Sequence, residues 1–213
     1  AAHRATKVCS SLRQSTAPSQ ESATGMVRTA LLFVVCIAVA ACQPQKFNGV
    51  DITGSSIGPD FSLADHTGTT RKLADFRGKV VVLFFGFMNC PDVCPTTLSD
   101  MAAVKKKLGR DGDRVQVIFV TLDPERDSAA LLAQYVPAFD PTFLGLRGSV
   151  EGTAAVAKDF KIFYQKVPGA DATKYTLDHT AASYVFDPEG RIRLFVRYGM
   201  GADLIAADIK RLL

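Results

Sequence analysis

The fold of this chain is decided by residues 80–98, which have the sequence VVVLFFGFMNCPDVCPTTL. Residues 80–87 form an uninterrupted apolar run rich in β-branched and aromatic side chains, which is typical of a central strand buried on both faces. Cys90 and Cys94 follow this run, and Pro95 is predicted to open the next helix, since proline is tolerated at the first helical position. Apolar residues then recur at helical spacing: Leu98, Met101, Val104 and Leu108.

The middle of the chain repeats this alternation of strand and helix. Residues 115–122, VQVIFVTL, form a second apolar run of the kind found in core strands. Helices are predicted over about 128–136 and about 150–160.

The C-terminal part adds a hairpin and a closing helix. Residues 184–187 and 192–196 flank Pro-Glu-Gly, a turn signature. Residues 202–213 are predicted to form an amphipathic helix whose apolar face comprises Leu204, Ile205, Ile209 and Leu212. This order of elements predicts one α/β domain with a mixed central sheet flanked by helices.

Composition and charge exclude some function classes. The chain is 47% hydrophobic and 22% charged, as expected for a globular protein with one core. Its net charge is +4, and residues 1–42 carry four basic residues against one acidic residue. The remainder is close to neutral, so no nucleic-acid partner is expected.

Residues 26–42 are typical of a signal peptide. Arg28 supplies a positive charge, and the apolar core over 30–41 is shorter than the roughly 20 residues of a membrane span. Residues 39–42, VAAC, are similar to a bacterial lipobox, which predicts cleavage before Cys42 and acylation of its sulfur. An uncleaved anchor, or a plain signal peptide with an incidental cysteine, is the alternative.

The remaining segments complete the predicted organisation. Residues 1–25 are polar and lack periodicity, so they are expected to be an unstructured extension or a misassigned start. Residues 43–56 are rich in Gly, Ser and polar side chains and predict a flexible tether, and 57–213 form the domain. The protein is expected to be exported and lipid-anchored to a bacterial membrane, with the domain on the periplasmic or extracytoplasmic side.

The cysteine count points to one functional pair. Cys9 and Cys36 would be removed with the leader and Cys42 would carry lipid, which leaves Cys90 and Cys94 as free thiols. In an exported protein, a single close pair indicates a redox or metal site rather than a disulfide framework.

The position of the pair suits either chemistry. A helix N-terminus carries partial positive charge, so we expect it to lower the cysteine pKa and favour thiolate, which is both nucleophile and metal ligand. The three-residue spacer is longer than that of thioredoxin-type exchange motifs and leaves room for an ion. Thiolates favour Cu(I), whereas a closed zinc site takes four protein ligands.

His179 is the candidate third ligand. It precedes the strand predicted near 184–187, at the place where thioredoxin-like folds face their cysteine pair and usually carry a cis proline. Residues 169–187 contain no proline here, and His179 and Thr180 occupy that place. This favours a metal ligand over a core or surface histidine, whereas His66, beside a Thr-Gly turn, is expected at the surface.

These residues together resemble the Sco/SenC family, which assists assembly of the copper centre of cytochrome c oxidase. The matching stretches are FGF at 85–87, CPDVCPT at 90–96, TLDPERD at 121–127, DHTA at 178–181 and YVFDP at 184–188. They span about residues 57–213. The resemblance implies a thioredoxin-like fold and copper, as Cu(I), Cu(II) or both, bound by Cys90, Cys94 and His179.

Three further residues are candidates near the site. Met88 departs from the family pattern and could add a thioether, although an adjacent Met is more often packing. Asp178 or Asp123 could accept a hydrogen bond from His179 and orient its ring, as metal-bound histidines usually require. Alternatively, Asp123 pairs with Arg126 and shapes its loop.

The first functional hypothesis is a membrane-tethered copper metallochaperone. It would receive copper from a donor chaperone and pass it to the copper-bearing subunit of cytochrome c oxidase, and lipid on Cys42 would keep it near that partner. The second hypothesis is a thiol-disulfide reductase in which Cys90 and Cys94 keep the oxidase cysteines reduced; exchange does not need His179. A peroxidase would leave both the cysteine arrangement and His179 unexplained.

Overall fold

The computed structural model describes residues 46–169 and 174–213. Its strands are β1 Val50–Asp51, β2 Ser62–Asp65, β3 Thr70–Lys72, β4 Val80–Gly86, β5 Val115–Thr121, β6 Leu144–Arg147, β7 Tyr164–Pro168, β8 Tyr175–His179, β9 Ala182–Phe186 and β10 Ile192–Arg197. Its helices are α1 Val93–Leu108, α2 Ala129–Tyr135, α3 Val150–Asp159 and α4 Ala202–Leu212, with 3-10 turns at Leu73–Phe76 and Gly109–Arg114.

A mixed sheet with β4 near its middle forms the core. The strand order is β1-β10-β9-β4-β5-β6-β2-β3, with β4 parallel to β5 and antiparallel to β9. Every residue of β4 and of β5 is buried, as the two apolar runs predicted. The carboxyl ends of β4 and β5 and the start of β9 therefore meet at one end of the sheet, where the cysteines and His179 also lie.

Helix α1 begins two residues earlier than Pro95. Asp92 precedes it, and Val93 and Cys94 are its first two residues. Pro95 is tolerated at the third position because the first amides of a helix have no intrahelical carbonyl partner. The helix ends at Gly109, whose φ of 58° lies in the left-handed region that favours glycine.

Part of the predicted tether is packed on the domain: residues 48–51 contact β10 and α4. Val50 and Asp51 pair with β10, and the backbone amides of Asn48 and Gly49 donate to the Asp208 carboxylate over 2.8–3.0 Å. Asp208 lies on α4 and is 1% exposed. The composition of residues 43–56 suggested a tether because a buried acceptor on a distant helix leaves no local sequence signal.

The closing helix α4 agrees with the predicted one except at Leu204. Ile205, Ile209 and Leu212 are buried, whereas Leu204 is 47% exposed. Adjacent residues on a helix point about 100° apart, so the face that buries Ile205 turns Leu204 towards solvent.

Two features of the fold were not predicted. β6 is a short strand that pairs with β5 in parallel and with β2 in antiparallel orientation. β7 and β8 pair only with each other among the described strands, forming a two-stranded sheet whose register opposes Tyr164 to His179. The hairpin of β9 and β10 and its Pro-Glu-Gly turn are as predicted.

Phe47–Leu213 form one compact unit. Among its described residues, no helix is long and apolar enough to cross a bilayer. The predicted extension over 1–25 and signal peptide over 26–42, with Cys42, lie outside the described residues.

Candidate metal centre

Cys90 lies in the loop between β4 and α1, and Cys94 is the second residue of α1. The Cys90 amide donates to the Phe87 carbonyl over 3.3 Å, which folds the loop back after the strand. The Cys94 amide donates to the Cys90 sulfur at 3.4 Å. Cys94 is fully buried and Cys90 is 9% exposed, and both are free thiols. Cys90 is therefore the sulfur on the solvent side of the pair.

Gly86 makes room for the Cys94 sulfur. A Cβ atom at Gly86 would lie 2.7 Å from Cys94 Sγ and 2.8 Å from Cε2 of Phe119. No role was predicted for Gly86, although a glycine inside an apolar strand signals the close approach of another group.

His179 is the last residue of β8, and its ring faces the cysteine pair. Nε2 lies 3.8 Å from Cys94 Sγ, and Nδ1 lies 3.0 Å from the Thr180 carbonyl oxygen. A carbonyl only accepts hydrogen bonds, so the proton of the neutral ring sits on Nδ1 and the Nε2 lone pair faces the sulfur. The rings of Phe84 and Phe87 flank the imidazole, with centroids 6.3 and 5.8 Å away.

The structure thus brings the three predicted ligands together. One ligand atom each from Cys90, Cys94 and His179 lies within 4.8 Å of the other two. The histidine is distant in sequence from the cysteines and reaches them because β9 is antiparallel to β4, so the start of β9 lies beside the end of β4.

Burial shifts the pKa values of Cys94 and His179. Loss of solvent raises the pKa of the Cys94 thiol above its usual range and lowers the pKa of His179 below its usual value. The expectation that the helix N-terminus lowers the pKa is wrong for Cys94, because desolvation of the thiolate outweighs the backbone amide that favours it. Before any metal binds, Cys94 is therefore a thiol and His179 is a neutral imidazole at pH 7.

The two carboxylates expected to orient His179 have other surroundings. Asp178 is exposed, on the opposite face of β8 from the buried Leu177. Asp123 is buried, accepts a 2.8 Å hydrogen bond from the Tyr175 hydroxyl and pairs with Arg126, which confirms the alternative role as an ion-pair partner. The Thr180 carbonyl takes the place of a carboxylate on Nδ1.

Asp127, in the motif at 121–127, contacts the cysteine loop, and this contact was not predicted. It is 2% exposed and accepts hydrogen bonds from the Met88 amide at 3.0 Å and the Thr121 hydroxyl at 2.6 Å. Burial raises the pKa of this carboxyl. Asp127 therefore joins the end of β5 to the cysteine loop, and Met88 contributes its backbone to that contact.

His66 is not on the surface as expected. It is half-buried, and its Nδ1 accepts a 3.1 Å hydrogen bond from the Gly145 amide, which joins the β2–β3 turn to β6. The turn signature beside it was present, but β6 was not predicted and therefore neither was this contact.

The arrangement can hold one soft metal ion. Two sulfurs and an imidazole nitrogen are the ligand types that copper takes, and they converge from two separate segments. Both thiols must lose their protons when metal binds, so binding is coupled to proton release.

The chain matches one known family over most of its described length. The SCO1/SenC family model matches residues 50–213. The chain belongs to this family.

A curated SCO1/SenC relative is the mitochondrial protein SCO2 homolog of Mus musculus. It is 40% identical over 154 residues, which cover 71% of this chain and 60% of the relative. The chain therefore spans about 60% of the length of that relative.

Solved Sco structures share the fold. Apo Sco1 of Thermus thermophilus is 42% identical with a TM-score of 0.70, covering 79% of this chain and 98% of that one. ScoI of Bradyrhizobium japonicum with copper bound is 39% identical with a TM-score of 0.68, and the match covers 74% of this chain and 99% of ScoI. These matches, with the mixed central sheet, confirm the expected thioredoxin-like fold.

Proposed function

We propose that this protein is a copper metallochaperone that carries copper on Cys90, Cys94 and His179. The observation that supports this most directly is the convergence of the three side chains within 4.8 Å. The copper-bound Bradyrhizobium japonicum ScoI, 39% identical to this chain, supports the choice of metal. The copper is cargo, which the protein takes up and later releases.

The burial of the group suits Cu(I). The Cys94 sulfur is out of contact with water, and the apolar rings of Phe84 and Phe87 flank the imidazole. A neutral imidazole and two thiolates match the preference of Cu(I) for soft ligands. A closed structural zinc site takes four protein ligands, and the group found among the described residues has three.

We further propose that the cargo passes to the copper-bearing subunit of cytochrome c oxidase by ligand exchange, and that a separate chaperone supplies it. Cys90 is the ligand on the solvent side, so a cysteine of the acceptor would reach copper through it. Lipid on Cys42 would hold the domain on the extracytoplasmic side of a bacterial membrane, close to that acceptor.

The second candidate function is thiol-disulfide reduction of the oxidase cysteines. The proximity of the two free thiols favours it. The raised pKa of the buried Cys94 would slow its second step, in which Cys94 must attack as a thiolate the mixed disulfide formed on the solvent-side Cys90. The position of His179 against Cys94 has no role in this alternative.

An anaerobic Cu(I) competition titration of the reduced full chain in detergent tests the proposal. We expect one tight equivalent, lost in Cys90→Ser and in Cys94→Ser. His179→Ala removes a ligand, so it should weaken binding by at least the roughly 10- to 100-fold that loss of a partner supporting a ligand costs. Oxidised protein should bind no copper through the pair, because a disulfide offers no thiolate.

His66→Ala is the matched control, since His66 is half-buried and bound to the Gly145 amide away from the site. Its copper affinity should equal that of the unchanged protein. Equal affinity in His179→Ala would remove His179 from the site. Weak binding that none of the variants changes would instead favour the reductase.

Transfer is tested by mixing the copper-loaded protein with the soluble domain of the oxidase subunit and following copper after separation. Copper should move to the acceptor when both partners are reduced. Copper that stays on this protein at excess acceptor would contradict the delivery step while leaving the binding site intact.

A further inference from the structure

His179 is carried by a hairpin that hydrogen-bonds to itself and not to the main sheet. Among the described strands, β7 and β8 pair only with each other. β9 follows β8 directly and fixes where the hairpin joins the main sheet. It does not fix the orientation of β8 relative to that sheet. Since an isolated two-stranded hairpin has little stability of its own, its direction depends on what it touches.

The hairpin contacts the domain through Leu177, which is 5% exposed and belongs to the hydrophobic core, and through Tyr175, the first residue of β8. The Tyr175 hydroxyl donates to Oδ1 of Asp123 at 2.8 Å. The Arg126 guanidinium lies 3.6 Å from the centre of the Tyr175 ring, and its Nη1 donates to the Tyr175 carbonyl at 2.8 Å. The hydroxyl, ring and carbonyl of one residue are therefore all engaged, and we call Tyr175, Asp123 and Arg126 the tyrosine latch.

The other side of the latch is hydrogen-bonded to the end of β5 and to the cysteine loop. The amide of Asp123 donates to the Thr121 hydroxyl at 2.9 Å, and that hydroxyl donates to Asp127 at 2.6 Å. Asp127 in turn accepts from the Met88 amide, two residues before Cys90. A continuous series of hydrogen bonds thus connects the cysteine loop to the start of β8.

A second contact holds the far strand of the hairpin on the same loop. The Lys166 ammonium lies 4.7 Å from the centre of the Tyr175 ring and pairs with Glu125. Both members of that ion pair are half-exposed, so its contribution is small. The latch proper, which includes the buried carboxylate of Asp123, is the stronger attachment.

We propose that the tyrosine latch is a positioning device for the third copper ligand. It holds β8 so that His179 Nε2 faces the cysteine pair, and it thereby sets how firmly the imidazole retains copper. Releasing the latch would let His179 withdraw while both sulfurs stay in place, which would ease release of the cargo. This inference rests on the proposed function, and it adds residues that do not touch the metal.

Tyr175→Phe is the sharpest test, because it removes the hydroxyl and keeps the ring against Arg126. We expect Cu(I) affinity to fall by about 10-fold, at the lower end of what loss of a supporting contact costs a metal site. The nitrogen hyperfine signal of imidazole in the spectrum of the Cu(II)-loaded protein should weaken. Tyr198→Phe is the matched control, since Tyr198 is 41% exposed in the loop after β10.

A double-mutant cycle with His179→Ala separates positioning from general destabilisation. If the latch acts through His179, Tyr175→Phe changes nothing further once His179 is Ala. Arg126→Lys, which keeps a positive charge beside Asp123 but loses the planar stack, should behave like Tyr175→Phe. Melting temperatures of all variants show whether each is folded.

The outcomes distinguish this inference from the proposed function. Normal affinity and an unchanged nitrogen signal in Tyr175→Phe and Arg126→Lys, with weak binding in His179→Ala, would overturn the latch alone. A loss in Tyr175→Phe that persists in full in the His179→Ala background would also overturn it. Failure of the unchanged protein to bind Cu(I) tightly would overturn the proposed function, whatever the latch variants do.

Discussion

Gly86→Ala tests whether the glycine at the end of β4 is required by the Cys94 sulfur. The added Cβ would lie 2.7 Å from Cys94 Sγ, 2.8 Å from Phe119 Cε2 and 3.0 Å from Phe84 Cε1. Non-bonded heavy atoms pack at roughly 3.5–4.0 Å, so at least one neighbour must move by about 1 Å. All three neighbours are buried, and none can swing into solvent.

The size of the effect follows from overpacking. An extra methyl group in a filled core costs about 1–3 kcal/mol, which in a chain of this length lowers the melting temperature by roughly 3–10 °C. If the sulfur is what moves, a displacement of about 1 Å exceeds the ~0.2 Å tolerance of a metal–ligand distance. Copper affinity should then fall by about 10-fold or more, comparable with the loss of a supporting contact.

Thermal unfolding and anaerobic Cu(I) competition on the same preparation measure the two effects. Gly152→Ala is the matched control, because its Cβ would meet only the Ser149 hydroxyl at 3.4 Å within α3. That change should leave copper binding unaltered and stabilise slightly, since alanine is the better helix former. A Gly86→Ala protein with unchanged melting temperature and copper affinity would refute the reasoning.

Two further predictions concern buried carboxylates away from the copper ligands. Burial alone would raise the pKa of Asp65, but hydrogen bonds from hydroxyl, amide and guanidinium groups outweigh it and lower the pKa to about 2. The ionised Asp65 should therefore contribute about 2 kcal/mol to the free energy of unfolding above pH 4, and this contribution should be lost as the pH falls towards 2. Urea unfolding measures it: the free energies of unfolding of the unchanged protein and of Asp65→Asn should converge at low pH. A difference between the two proteins that stays constant with pH would contradict this. Asp208→Ala should cost about 2 kcal/mol or more and speed hydrogen exchange at Asn48 and Gly49, which donate to that carboxylate. Asp203→Ala is the control: its side chain is 85% exposed, so the change should lower the free energy of unfolding by less than about 1 kcal/mol. Equal losses in Asp208→Ala and Asp203→Ala would show that the hydrogen bonds from the Asn48 and Gly49 amides contribute nothing.

The elements that could be predicted are those whose signal is local. A continuous apolar run predicts the strand over 80–86, and a helical repeat of apolar residues predicts helix α1. Both are present. The cysteine pair is equally local, because three intervening residues place both sulfurs on one turn. His179 was found through its family motif and the absence of proline around it.

The elements that could not be predicted depend on distant partners. The strand β1 exists because β10 and the buried Asp208 receive it, and nothing in residues 48–51 announces either. The raised pKa of Cys94 has the same origin. The sequence indicated a helix N-terminus near the cysteines, but it did not indicate that the fold would bury Cys94 completely.

The sequence by itself determined the ligand types, their spacing and the order of the two core strands, the helices and the C-terminal hairpin, because these follow from side-chain chemistry and periodicity along the chain. Only the tertiary structure decided that His179 faces Cys94, that Asp123 holds Tyr175 and that Gly86 admits a sulfur. The first two of these contacts join residues far apart in the chain, and the third joins the end of a strand to the helix that follows it. Their geometry depends on sheet register and strand direction, which no local pattern specifies.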